Sequence, residues 1–99
     1  MFPRYSEIEG PLVEELRCRG GASRPADRDS SGRTVYAALA DHFHLSPAER
    51  NEVIYEDGTA RSKWENMVRY AVRKLKQRGE IKNPEHGVWE VARSPSGRT

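Results

Sequence analysis

The pattern of apolar and polar positions is clearest over residues 62–78, SKWENMVRYAVRKLKQR. Trp64, Met67, Val68, Ala71, Val72 and Leu75 recur at the three- and four-residue spacing of a helix with one buried face. At about 100° per residue, the opposite stripe collects Ser62, Asn66, Arg69, Tyr70, Arg73 and Gln77. It holds no carboxylate, and Glu65 lies on the flank. Gly79 stands where helices end in a left-handed residue.

Upstream, Ser6 and Glu9 have the spacing of a capping box, and Ile8, Leu12 and Leu16 form a helical stripe. Proline is tolerated only near a helix start, so Pro11 predicts a firm helix from about Gly10 or Pro11. Gly20-Gly21 ends it, and Glu7, Glu9, Glu14 and Glu15 leave its outer side acidic. Residues 20–32, GGASRPADRDSSG, have turn formers and no apolar pattern, which predicts a solvated loop. A second helix is predicted over 34–43, burying Val35, Leu39, Ala40 and Phe43 with Tyr36 beside them. Ser46-Pro47-Ala48-Glu49 is a strong helix start; the third helix is expected to run to about Ile54 and to bury Val53 and Ile54. Glu56-Asp57-Gly58 reads as a turn, and 59–61 as a lead into the long helix, capped by Thr59 or Ser62. After Gly79, Ile81, Val88, Trp89 and Val91 flank the turn residues 83–87 and predict a β-hairpin.

Helices, then a basic helix, then a hairpin is the order of a winged helix. The expected fold is mainly α (α+β): a winged helix-turn-helix of three to four helices followed by a C-terminal β-hairpin wing. Residues 6–92 form the domain, with a flexible N-terminus at 1–5 and a flexible tail or linker at 93–99.

The chain is 99 residues, 35% hydrophobic and 32% charged, enough for one domain with a small core. No apolar run is long enough to cross a bilayer, and the N-terminus lacks a signal peptide's apolar stretch. A cytoplasmic protein with no membrane partner is the expectation. The single cysteine, Cys18, has no internal partner. His42, His44 and His86 lack metal-ligand spacing, so neither metal nor cofactor is expected.

Charge changes the picture most. Residues 59–78 hold seven basic side chains (Arg61, Lys63, Arg69, Arg73, Lys74, Lys76, Arg78) against one acid, Glu65. That stretch is +6 within a chain of net charge +2, so the remainder sums to −4. An apolar back with a basic, hydrogen-bonding front suits a helix that reads nucleic acid. Asn66, Arg69, Tyr70 and Arg73 would face the major groove, where Asn pairs with adenine and Arg with guanine, and Gln77 of the same stripe is a further DNA-binding candidate. Arg61, Ser62 and Lys63 at the helix start would hold phosphates. Lys82 and His86 in the wing would touch the backbone or minor groove. Trp64 and Trp89 are core by spacing, and Tyr70 is the better candidate for stacking on a base. Arg24, Arg28 and Arg33 sit among Asp27 and Asp29, the mix of a solvated loop.

The runs LADHFHLSPAERNEVIYEDG and SKWENMVRYAVRKLKQRGEIKNPEHGVWEVA resemble the N-terminal winged-helix domain of Mrr-type restriction proteins. The features are F-x-L-S-x-x-E-R (Phe43, Leu45, Ser46, Glu49, Arg50), the turn Gly58 and Trp64 at the helix start. L-K-x-x-G-x-I (Leu75, Lys76, Gly79, Ile81) and G-V-W-x-V (Gly87, Val88, Trp89, Val91) complete the set. The resemblance spans about residues 5–92, although the 20–32 loop is longer than it implies. It implies a double-stranded DNA-binding, target-sensing module of a restriction or defence system, acting with a separate nuclease domain or subunit and often on modified DNA. Glu80-Ile81-Lys82 spells a nuclease-like E-x-K, but it follows a helix-ending glycine and not a central strand, so no catalytic residue is expected.

Another class remains open: a winged-helix module that docks or dimerises with proteins, through the acidic first helix and an exposed Tyr36 or Val13. A single-stranded RNA binder lacks its aromatic platform here. The sequence leaves the oligomeric state open.

Overall fold

The computed structural model describes residues 2–92. They run α1 (Tyr5–Cys18), β1 (Ala22–Ser23), α2 (Val35–His42), α3 (Pro47–Arg50), β2 (Val53–Glu56), β3 (Thr59–Ser62), α4 (Lys63–Gln77), β4 (Ile81–Lys82) and β5 (Trp89–Val91). The expected tail at 93–99 lies outside the described residues.

α4 is the pivot. Its whole apolar stripe, Trp64, Met67, Val68, Ala71, Val72 and Leu75, is buried. α1 and α2 pack against it, and α1 also packs on α2. α1 brings Ile8, Leu12 and Leu16, all completely buried, and α2 brings Val35, Leu39 and Ala40. Ile81 and Trp89 close the core from the sheet side. Ser62 caps α4, its Oγ accepting from the Glu65 N–H at 3.3 Å. At the other end the Gly79 N–H donates to Lys76 O at 3.0 Å and the Glu80 N–H to Leu75 O at 2.9 Å. Gly79 has φ 79°, a conformation that glycine adopts without a Cβ penalty.

The sheet is antiparallel in the order β1-β5-β4, with Ile81 opposite Val91, Lys82 opposite Glu90 and Ser23 opposite Trp89. The described residues are thus α+β, with four helices and small antiparallel sheets, an arrangement compatible with a winged-helix-like fold.

Four expectations change. First, α1 begins at Tyr5 and not at Gly10, and it keeps Pro11 in its interior. The Glu7 carboxylate accepts from the Arg4 N–H at 2.7 Å, in place of the expected Ser6–Glu9 box. An interior proline costs about 3 kcal/mol, whereas burying three large aliphatic side chains returns about 1.5–3 kcal/mol each. Second, α3 stops at Arg50. Residues 53–62 form a second hairpin, with Val53 opposite Ser62 and Glu56 opposite Thr59. Asp57 (φ 50°) and Gly58 (φ 76°) make its two-residue turn, the geometry that Asp-Gly favours. Val53 is 46% exposed instead of buried, and Tyr55 is 75% exposed. Third, residues 20–32 are not all loop: β1 joins the sheet edge. The Arg19 guanidinium also donates to Asp27 O at 2.9 Å and Arg33 O at 3.0 Å, holding the segment to α1. Fourth, Tyr36 and Val13, expected to be exposed, are partly buried and pack against the core.

Two side chains carry testable weight. Trp64 is 3% exposed, its Nε1–H donates to Tyr36 O at 2.9 Å, and its ring meets Phe2 and Phe43 at 6.3 and 6.0 Å. In urea denaturation, Trp64→Phe is expected to lose about 1–3 kcal/mol, because it leaves that carbonyl without its donor. Trp64→Ala is expected to lose about 3–5 kcal/mol through the cavity. Asp29 organises the loop before α2: it accepts from Ser31 Oγ at 2.6 Å and from the Arg33 and Ser31 N–H groups, each at 2.9 Å. The Ser31 hydroxyl above all, then the Arg33 N–H, holds the Asp29 carboxyl down to about 2. A depressed carboxyl stabilises the fold above its unfolded value near 3.8 and loses that contribution as pH falls toward 2. Asp29→Ala should therefore melt below the parent chain at neutral pH, and the gap should close between about pH 4 and 2.

Candidate nucleic-acid interface

The outer face of α4 presents Arg69, Tyr70, Arg73 and Gln77 to solvent, with Asn66 half-buried beside them. The β2–β3 hairpin stands next to this face. Between them lies a groove of about 340 Å³ lined by Glu56, Arg61, Asn66, Arg69, Tyr70 and Arg73. Five sequence-predicted residues therefore come together there: Arg61, Asn66, Arg69, Tyr70 and Arg73. Ser62 is engaged as the helix cap. Lys63 lies on the flank with its Nζ 4.7 Å from the Phe2 ring centroid, Gln77 lies farther along α4, and Lys82 and His86 belong to the β4–β5 hairpin.

The positive charge is not uniform along α4. Around its start each cation has a carboxylate: Arg61 with Glu56 at 3.4 Å, Lys63 with Glu52 at 3.1 Å and Arg69 with Glu65 at 3.7 Å. Among the described residues, Arg73, Lys74, Lys76 and Lys82 have no such ion pair. Arg78 is spent on structure. It joins Glu9 of α1 to Glu80 ahead of β4, both at 2.7 Å, and these partners, Glu9 first, raise its already high pKa. Exposed pairs are worth about 0–1 kcal/mol, so those at the helix start are easily exchanged for a stronger partner.

Tyr70 is not a free stacking ring. Tyr5 of α1 sits 4.3 Å away, centroid to centroid, at 53°, and Lys74 Nζ lies 5.4 Å from its centroid. Tyr5 thereby packs on the Tyr70 ring beside the groove without lining it. Nothing in its local sequence points there; the placement arises from α1 crossing α4. Trp64 and Trp89 are buried, as their spacing indicates. In the β4–β5 hairpin, Lys82 and His86 are exposed at the strand and the tip. Asn83 Nδ2 donates to Val88 O at 2.6 Å, and Arg24 Nη1 donates to His86 O at 3.0 Å. Arg24, from the segment read as a loop, thus backs the tip and places another cation beside it. Arg33 is instead committed to Asp41 at 3.0 Å.

The model of the Mrr N-terminal domain matches residues 22–98. The chain belongs to the Mrr N-terminal domain family. Membership makes it a restriction-system-associated domain. No curated protein and no solved structure matches it. The Mrr N-terminal match takes in α4, both hairpins and the whole groove, and it leaves α1 outside. Among the described residues, no helix is long and apolar enough to cross a membrane.

Proposed function

We propose that this Mrr N-terminal domain is a winged helix-turn-helix module that binds double-stranded DNA and serves as the target-recognition part of a restriction system. The observation that carries the reading is the two-sidedness of α4: an apolar back wholly buried and a front of Arg69, Arg73 and Gln77 open to solvent, with Asn66 half-buried beside them. α4 enters the major groove. Lys74 and Lys76, which have no ion pair among the described residues, and Lys82 and His86 of the β4–β5 wing hold phosphates and set the register. Cleavage belongs to a separate nuclease domain or subunit, and no residue here is assigned a catalytic role.

The test is binding to labelled duplex at two salt concentrations, with unmodified and methylated duplexes side by side. The expected result is affinity that falls steeply with salt. A preference for one duplex would add modification sensing. Absence of binding to either at low salt would sink the reading. A second reading, a protein-docking module, draws on the exposed Val53 and Tyr55 of β2. It predicts partner binding that is insensitive to salt.

A further inference from the structure

Glu56 is the one carboxylate among the described residues lining the groove. It shares a face of the β2–β3 hairpin with Arg61, diagonally across the strands, and its Oε1 lies 3.4 Å from Arg61 Nε. Both side chains are about half exposed, so the pair is labile and open to a ligand. A surface that only held phosphates would gain nothing from an acid here, since a negative charge facing the backbone weakens binding. A surface that reads bases does gain. In the major groove a carboxylate can accept from the N4 amino group of cytosine, while neighbouring Arg and Asn read guanine and adenine. Glu56, Arg61, Asn66, Arg69 and Arg73 together supply both acceptors and donors along one groove.

We propose that Glu56 is a specificity-determining residue of this site, accepting a hydrogen bond from the exocyclic amino group of a cytosine and giving up Arg61 to the DNA as it does so. The inference rests on the duplex-binding reading above. Without a matching base, Glu56 keeps Arg61 occupied and opposes the phosphates, so the same carboxylate suppresses non-specific binding.

The experiment is selection of duplexes from a randomised pool by the parent chain, Glu56→Gln, Arg61→Ala and the double variant, with affinities measured on a selected and a scrambled duplex. The parent should select a cytosine at one position. Glu56→Gln should lose roughly tenfold of the discrimination there while binding the scrambled duplex about two- to fivefold more tightly. The loss of the cytosine preference should persist in the Arg61→Ala background, as direct contact requires. If Glu56→Gln leaves the selected base unchanged, or its effect vanishes without Arg61, Glu56 only holds Arg61 and the proposal fails. Selection of adenine in place of cytosine would overturn the assigned base. If the parent chain binds no duplex at all, the duplex-binding reading itself has failed, an outcome distinct from binding with an unaltered base preference.

Discussion

Replacing Arg69 and Arg73 together by alanine is expected to lower duplex affinity by about a thousandfold while leaving the fold intact. Each arginine that pairs with a base edge contributes about 1–3 kcal/mol, and about 4 kcal/mol for the two converts to roughly that factor. The two contributions should not be equal. Arg73 has no carboxylate partner among the described residues, whereas Arg69 has Glu65 at 3.7 Å. Leaving that half-exposed pair costs at most about 1 kcal/mol, so Arg73→Ala should be the more damaging single change. Neither side chain belongs to the core, and surface replacements of this kind shift stability by about 0.5 kcal/mol or less. Fluorescence anisotropy across a salt series, with a urea melt of each variant, decides the matter. Normal binding by a folded double variant would mean that another face meets the DNA.

The front of α4 was legible because two independent patterns, burial spacing and charge, coincide on one helix of fifteen residues. Periodicity over four turns averages out local exceptions, and the Ser62 cap and Gly79 stop mark its ends. The β2–β3 hairpin also left a signal. Val53-Ile54-Tyr55 before Asp57-Gly58 is strand chemistry bracketing the strongest short hairpin turn. The strong helix start at Ser46 pulled the reading onward past Arg50, although α3 is a single turn with no buried residue of its own. Val53 and Ile54 are then expected in the core, yet Val53 faces solvent and Ile54 is only half-buried. Exposed apolar side chains on a two-stranded ribbon cannot be told from core positions by hydropathy alone.

The groove was only half legible for a related reason. Asn66, Arg69, Tyr70 and Arg73 share a helix face and can be grouped by angle. Their neighbours Glu56 and Tyr5 come from other elements, and it takes the crossing of α1 over α4 and the fold-back of the hairpin to bring them in. β1 is harder still. Two residues, Ala22 and Ser23, have no periodicity to detect, and they become a strand because β5 offers them an edge.

Removing α1 is the change with the largest expected effect on the fold, and the family match makes it worth doing. The Mrr N-terminal match begins at residue 22, which suggests residues 22–99 as a minimal domain. The packing argues otherwise. Ile8, Leu12 and Leu16 have no solvent exposure and sit in the same cluster as Val68, Ala71 and Leu75 of α4. Truncating one such buried leucine or isoleucine to alanine costs about 2–5 kcal/mol. The three together reach about 6–15 kcal/mol, as much as the whole stability of an ordinary domain, about 5–15 kcal/mol. Deletion also strips the Glu9 partner from Arg78 and bares the apolar stripe of α4 to water. Residues 22–99 alone should show no cooperative urea transition, and Leu12→Ala in the full chain should remain folded with a lowered midpoint. Cooperative unfolding of the shortened chain at the parent's midpoint would make α1 an accessory to the core and would assign the stability of the α4 face to α2 and the sheet. DNA binding by that shortened chain would then report whether Tyr5, which packs on the Tyr70 ring, contributes to recognition apart from folding.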